Sequence, residues 1–395
     1  MILETSCPVC RSSQWADILE NRGAVVHVGR LFATESEARN APRGDILLSL
    51  CQECGYIGNR AYVPIENAFA PGYETSLHHS GVYLQFLSDL ADDLIARYVL
   101  ASKTVLEVAC GPGFFLRLML ERGCGAGIGV DPSLEREGKD VEGTKPISWI
   151  RDFYDERYAH LPVDLVICRQ ALHTIPDPRA FVESVQRAVE NRPAVRIYFE
   201  VVNANNLFQK EIIWQLLYEY RSYFTENSLA RLFRECGLQV LRVGPCYVDG
   251  QYLRIEGALA SDDVAGHPVS TRVGYREDLA GVHRFADVFR DKVSYWRNRL
   301  NELRRAGRKV AAWGAAGRGI TFLNLVDPEG EIRHIVEINP ARQGKYIPGT
   351  GALVVAPESL VEYRPDVILL TNATYANEIK LQVNRLELNC EFLLA

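Results

Sequence analysis

Two cysteine pairs, each with two residues between its members, stand near the start of the chain: Cys7 and Cys10 in CPVC, then Cys51 and Cys54 in CQEC. Two such knuckles in one short segment predict a tetrahedral four-sulfur site, for which zinc is the better occupant and iron the alternative. This constrains the fold strongly. Residues 1–65 hold only short apolar stretches, AVVHVGRLFA and DILLSLC, expected as strands, and cannot build a core alone, so a metal must stand in for one. Four thiolates leave no position for a substrate, so the site reads as structural.

The chain has 395 residues, enough for two or three domains. A net charge of -6 weighs against a nucleic-acid or anionic-membrane partner. No apolar run approaches the roughly 18 residues that span a bilayer. The first residues lack a basic stretch followed by an apolar one, so a cytoplasmic protein is expected. There Cys110, Cys124, Cys168, Cys236, Cys246 and Cys390 would stay thiols.

After an irregular connector, VYLQFLSDLADDLIARYVL carries apolar residues at helical spacing. From Thr104 the pattern changes. TVLEVAC, GAGIGVDPS, VDLVICRQAL and AVRIYFEVV read as buried strands separated by helices, which predicts an α/β fold with a doubly wound parallel sheet. A long amphipathic segment, VHRFADVFRDKVSYWRNRLNELRRAGR, leads to a third unit of the same kind: KVAAWGAAGRGITFLNLV, IRHIVEIN and PDVILLTN. The expected organisation is a zinc-binding unit over 1–65, a Rossmann-like cofactor unit over 66–280, and a second Rossmann-like unit over 281–395.

The glycine turn in VLEVACGPGFF follows a strand carrying Glu107 and ending at Ala109; Cys110, Gly111 and Gly113 form the turn. Asp131, followed by Pro132, closes the next strand, where an acidic residue can accept hydrogen bonds from both ribose hydroxyls. A dinucleotide would want a third glycine where Leu116 stands. The E-x-x-C-G-x-G pattern instead resembles motif I of class I S-adenosylmethionine-dependent methyltransferases, whose cofactor has no phosphate to cradle. That resemblance puts Asp152 and Phe153 near the adenine and Gln170 beside the cofactor.

Three segments together resemble one family, the zinc-containing sugar C-methyltransferases that act on nucleotide-linked 4-keto deoxysugars in antibiotic biosynthesis. They are the CxxC…CxxC unit, the core with GVDPS and YEYRSYFT, and the C-terminal WGAAGRGITFLN, NPARQGKYIPGTG, PESL and PDVILLTNATYANEI. The resemblance implies a nucleotide-linked ketosugar as substrate. A base removes a proton beside the ketone, and the enolate attacks the methyl group in line, so positioning and enolate stabilisation carry the rate. It implies a substrate-site tyrosine at Tyr73 in GYETS and a carboxylate at Glu219. The family's histidine base falls on Tyr220, and a preceding tyrosine falls on Leu217. A phenol is a poor base near neutrality, so His78, His79, His173 and Glu219 itself are candidates for the proton acceptor. Thr174 stands where the family has a histidine before the IPDP segment. Tyr220 and Tyr223 are expected near the substrate. In the last unit the family helps hold the nucleotide-sugar, which implies Gly314, Arg318, Arg342 and Lys345 as contacts. Methylation of oxygen or nitrogen is the alternative reaction, and a cofactor-binding member without activity the alternative class. The sequence leaves the oligomeric state open.

Overall fold

The computed structural model describes residues 3–65, 69, 72–73, 77–259 and 281–395, which form three sheets. The first begins with β1 (Trp15–Val25) and β2 (Arg43–Cys51), an antiparallel pair, and continues with β3 (Ile57–Asn59). AVVHVGRLFA is strand only at Ala24 and Val25. Beyond them the chain leaves the ladder, apart from a bridge from Phe32 to Tyr346. The amides of Val28 and Gly29 are given to the buried carboxylate of Glu219, distant in sequence, instead of to a neighbouring strand.

The second sheet is built on β4 (Thr104–Val108), β5 (Ala126–Val130), β6 (Gly138–Glu142), β7 (Lys145–Ile150), β8 (Leu165–Arg169) and β9 (Arg196–Val202). Its parallel core runs β7-β5-β4-β8-β9, and β6 lies antiparallel on β7. The central strands are mostly apolar because both faces are buried, as a parallel sheet requires, and the few charged residues in them include Glu107, Arg169 and Glu200. A two-residue strand, β10 (Ser222–Tyr223), leaves this unit and pairs with β3 of the first sheet. An antiparallel hairpin, β11 (Leu238–Cys246) and β12 (Tyr252–Leu259), then returns to close the far edge against β9.

The third sheet contains β13 (Val310–Trp313), β14 (His334–Val336), β15 (Leu353–Val355), β16 (Val367–Leu370) and β17 (Glu391–Leu394). It is wholly parallel in the order β15-β14-β13-β16-β17. After β13 the glycine turn enters the helix Gly317–Val326. A Cβ at Gly319 would meet the carbonyl oxygen of Gly314 at 2.0 Å, so this glycine serves the strand-to-helix turn itself.

The three sheets are not packed as three separate cores. One apolar cluster includes Leu48, Trp214, Phe285 and Phe322, which come from all three expected units. Trp214 meets Phe322 edge-on at 4.8 Å, and Phe322 meets Trp296 of the helix Phe285–Arg305 at 5.4 Å. The cysteine knuckles join a second cluster with Leu106, Val108 and Phe181. Arg179, in the helix Pro178–Val189, donates to the carbonyls of Pro8 and Val9 in the first knuckle. Residues 66 and 280, where the expected central unit begins and ends, lie outside the described residues. Among the described residues no helix is long and apolar enough to cross a membrane.

Candidate active site

In an open α/β sheet a ligand crevice forms beyond the carboxyl ends of the strands, where the strand order reverses. Here both parallel sheets bring such ends to one cavity of about 390 Å³. Ala109–Gly111 and Phe114 follow β4, Gln170 and His173 follow β8, Gly314 and Arg318 follow β13, and Thr371 and Asn372 follow β16. Val28 of the first unit and Tyr73, Glu219 and Tyr220 complete the wall.

Glu219 is buried, 3% exposed. Its Oε1 accepts from the amides of Val28 at 2.7 Å and Gly29 at 3.1 Å, and its Oε2 from the Tyr73 hydroxyl at 3.0 Å. Burial pushes its pKa upward against the pull of these donors and of the nearby Arg342 guanidinium. Burial, and then the facing carboxylate, also drive the Tyr73 phenol well up, so it is neutral near pH 7. The close approach depends on Gly29, where a Cβ would sit 2.1 Å from the Tyr73 ring. The segment around Tyr73 includes residues 74–76, outside the described ones.

At the glycine turn, Glu107 is buried, and one of its carboxylate oxygens has no partner among the described residues. Burial lifts it to about 8. Beside it stands a residue that the sequence reading passed over, Arg169. Its guanidinium donates to the Tyr83 hydroxyl at 2.8 Å and to Glu200 at 3.3 Å, lies 4.5 Å over the Phe115 ring, and reaches the cavity wall. A charged residue ending the otherwise apolar strand β8 was the available signal. Ala109 and Gln170, at the ends of β4 and β8, both hold φ of +55°, a conformation unfavourable for side-chain-bearing residues and often found at functional sites. A buried carboxylate with one oxygen unpartnered among the described residues, beside a buried guanidinium, fits a ligand with an ammonium and a carboxylate, the amino-acid end of adenosylmethionine.

The structure brings together Tyr73, His78, His79, Glu107, Ala109, Cys110, Gly111, Gln170, His173, Glu219, Tyr220, Gly314 and Arg318 on the cavity wall. Asp131 sits beneath the turn: its carboxylate accepts from Gly111 at 2.8 Å and from the Ser133 amide and hydroxyl. Among the described residues Asp131, the expected ribose partner, is therefore not on the wall, and neither are Gly113, Pro132, Asp152 and Phe153. Gly113 faces the Trp149 ring, Asp152 accepts from Tyr158 at 2.6 Å, and Phe153 is exposed. Three expected substrate contacts are used otherwise. Tyr223 is buried with its hydroxyl on the backbone of Leu217. Arg342 is buried and gives its guanidinium to the carbonyls of Val28 and Gly29 in the irregular segment, and to that of Ala315 in its own unit. Lys345 takes part through its backbone, bonding Val354, and is not on the wall among the described residues.

His173 is 2% exposed, its ring edge-on to Tyr220 at 4.4 Å, and burial holds it down to about 3, so it is a neutral imidazole. The His78 ring stacks on Phe114 at 5.0 Å and adjoins His79. Arg318 has no carboxylate partner among the described residues; its bonds go to the amide oxygens of Gln215 and Gln251.

The four cysteine sulfurs lie within 4.8 Å of one another, with Cys7–Cys54 and Cys10–Cys51 both at 3.5 Å. Zinc–sulfur bonds of about 2.3 Å in a tetrahedron put sulfurs about 3.8 Å apart, so the donor set fits that ion. Hydrogen bonds from Cys54 and Cys7 hold the Cys51 thiol well down, and the hydrogen bond with Cys51 pushes Cys7 up.

Residues 83–243 match the model of a methyltransferase domain, and residues 271–394 that of a C-methyltransferase C-terminal domain. The C-methyltransferase NovU of Streptomyces niveus is 26% identical over 386 residues, spanning 94% of this chain and 90% of its own. A ubiquinone biosynthesis O-methyltransferase of Pseudomonas paraeruginosa is 26% identical over 156 residues, 36% of this chain and 66% of its own. Among solved structures, the magnesium protoporphyrin IX methyltransferase of Synechocystis PCC 6803 with bound SAH is 17% identical with a TM-score of 0.33, covering 45% of this chain and 84% of that one.

Glu107 generates a prediction. Its carboxyl, at about 8, is mostly protonated at pH 6.5, and a bound cation favours the ionised form. Binding of adenosylmethionine at pH 6.5 is therefore expected to release close to one proton. Calorimetry in buffers of different ionisation enthalpy measures this number, and Glu107→Gln is expected to abolish the release. Equal release from both proteins would remove Glu107 from the cofactor site.

Proposed function

We propose that this S-adenosylmethionine-dependent methyltransferase acts as a C-methyltransferase and methylates a carbon beside the ketone of a nucleotide-linked deoxysugar. The observation that carries the reading is the Tyr73–Glu219 pair. A buried carboxylate and a phenol, joined at 3.0 Å, face the same cavity as the glycine turn.

The bound cofactor supplies an electrophilic methyl group on a sulfonium. Glu107 and Arg169 would hold its amino-acid end and Gln170 would border it. Tyr73 already donates its proton to Glu219, so its oxygen is left to accept. The proton on the carbon beside the ketone passes to the Tyr73 oxygen as the Tyr73 proton passes to Glu219. The methyl group that the enolate carbon takes up would come from the bound cofactor, whose sulfur would keep the electron pair of the broken bond as adenosylhomocysteine. Burial raises the Glu219 pKa and so improves it as the final acceptor. Arg318, a cation with no carboxylate partner among the described residues, suits the diphosphate of the substrate.

Hydroxyl methylation is the second reading. It is favoured by Tyr220, which puts a phenol where a histidine base was expected. The test uses methyl-labelled adenosylmethionine and a set of thymidine-diphospho-4-keto-deoxysugars, with mass spectrometry of the sugar. Label on carbon is expected from the wild type, with turnover about a hundredfold lower in Tyr73→Phe and Glu219→Gln. Label on oxygen would replace the enolate reading by the second, and no labelled sugar would remove the ketosugar.

For the cysteine cluster we propose one structural zinc. Elemental analysis is expected to find one zinc per chain. Stripping it with a chelator is expected to lower the thermal midpoint, because the knuckles pack directly on the cofactor unit. An unchanged midpoint after complete removal would contradict the structural role.

A further inference from the structure

The position that would carry a histidine base holds Tyr220, and its surroundings give the phenol a defined polarity. The Tyr220 oxygen accepts a hydrogen bond from Nε2 of Gln215 at 2.9 Å. The other end of that amide, Oε1, accepts from Nε of Arg318. A guanidinium offers donors only, so the amide must turn its oxygen to Arg318 and its NH2 to Tyr220. The orientation of the amide is thus set by chemistry. A second amide, Gln251, accepts from Arg318 at 3.1 Å and steadies it. Because the phenol oxygen is already an acceptor from Gln215, its own O–H is left to point elsewhere. Among the described residues no acceptor takes it, and Tyr220 lines the cavity.

We infer that Gln215 is a positioning residue: locked by Arg318, it presents the Tyr220 hydroxyl to the cavity as a hydrogen-bond donor for a substrate oxygen, not as a base. This rests on the ketosugar reading for the identity of that oxygen, the ketone that becomes the enolate. A fixed donor there stabilises developing negative charge without reorganising. Burial, which raises the phenol pKa, keeps the proton on Tyr220 throughout. The same Arg318 that orders the amide faces the diphosphate, so both ends of the substrate are met by one connected network. The position also becomes selective, since an acceptor molecule without an oxygen there would leave the hydroxyl unpaired.

The experiment compares wild type with Gln215→Glu. The substituted carboxylate pairs with Arg318 and accepts from Tyr220, which turns the O–H away from the cavity at nearly constant shape. 3-Fluorotyrosine is placed at position 220 and titrated by fluorine NMR, a readout that needs no substrate. The charged or titratable groups around it are Glu219, Arg318, His173, Tyr73 and Tyr223, the same in both proteins. The phenol is expected to titrate about one pH unit higher in the variant, because an N–H donor is replaced by a negative acceptor. Gln215→Met, which removes the donor alone, is expected to shift it in the same direction and serves if the glutamate variant does not fold. An equal or lower midpoint in the variants overturns the inference. In the labelled-methyl assay, turnover in Gln215→Glu is expected to fall about a hundredfold while adenosylhomocysteine binds as in wild type. Unchanged turnover also overturns it. If wild type methylates no ketosugar, the proposed function has failed, and the fluorine titration still decides the polarity of Tyr220.

Discussion

The buried carboxylate of Glu219 is the constraint on which the rest of the site depends. It takes two amides from the first unit and a hydroxyl from the connector, and it lies beside the strand that pairs the central unit with the first sheet. A carboxylate at 3% exposure is costly unless its oxygens are satisfied. Satisfying them pulls Val28 and Gly29 out of regular strand geometry. Their freed carbonyls are answered by Arg342 from the third unit. One acidic side chain thereby accounts for an irregular segment, for a glycine, for a buried arginine, and for the joining of three stretches of chain at one point.

The cysteine cluster takes its meaning from the same arrangement. The first sheet has few residues with which to resist deformation, yet Val28 and Gly29 must hold their amides on Glu219. Knuckles stapled by a metal and docked through Arg179 onto the cofactor unit would make that sheet a rigid bracket. The third unit supplies the opposite wall, and Glu378 ties it to the second by accepting from Ser80 at 2.7 Å and the Gly81 amide at 2.8 Å, at the start of the helix Gly81–Tyr98. The cavity is thus made by contacts between units, which is why side chains so far apart in sequence meet there.

What could be read from the sequence was local. The continuous apolar runs of β4, β5, β8, β9, β13, β14 and β16, and the helix from Gly81, follow from period and burial alone. The cysteine spacing foretold a cluster of sulfurs. What stayed hidden was set by distant partners. The β6 strand is largely exposed and polar, so it carries no burial pattern. The β10 strand has two residues and exists only because β3 is there. Arg342 was implied as a nucleotide-sugar contact by the resemblance alone; here three backbone carbonyls claim it. Arg169 and Gln215 lie in no motif, and their roles arise from what they touch: Glu200 and Tyr83 for one, Arg318 and Tyr220 for the other.

The account stands on Glu219 and Tyr73 as the pair that takes a proton from carbon. The most direct measurement leaves methyl transfer out. The protein is loaded with adenosylhomocysteine, mixed with thymidine-diphospho-4-keto-6-deoxyglucose in deuterated water, and followed by proton NMR. The account predicts exchange of the proton beside the ketone in wild type, about a hundredfold slower in Glu219→Gln, with adenosylhomocysteine affinity unchanged. Exchange at equal rates in both proteins would contradict it, as would methylation of the carbon without any exchange.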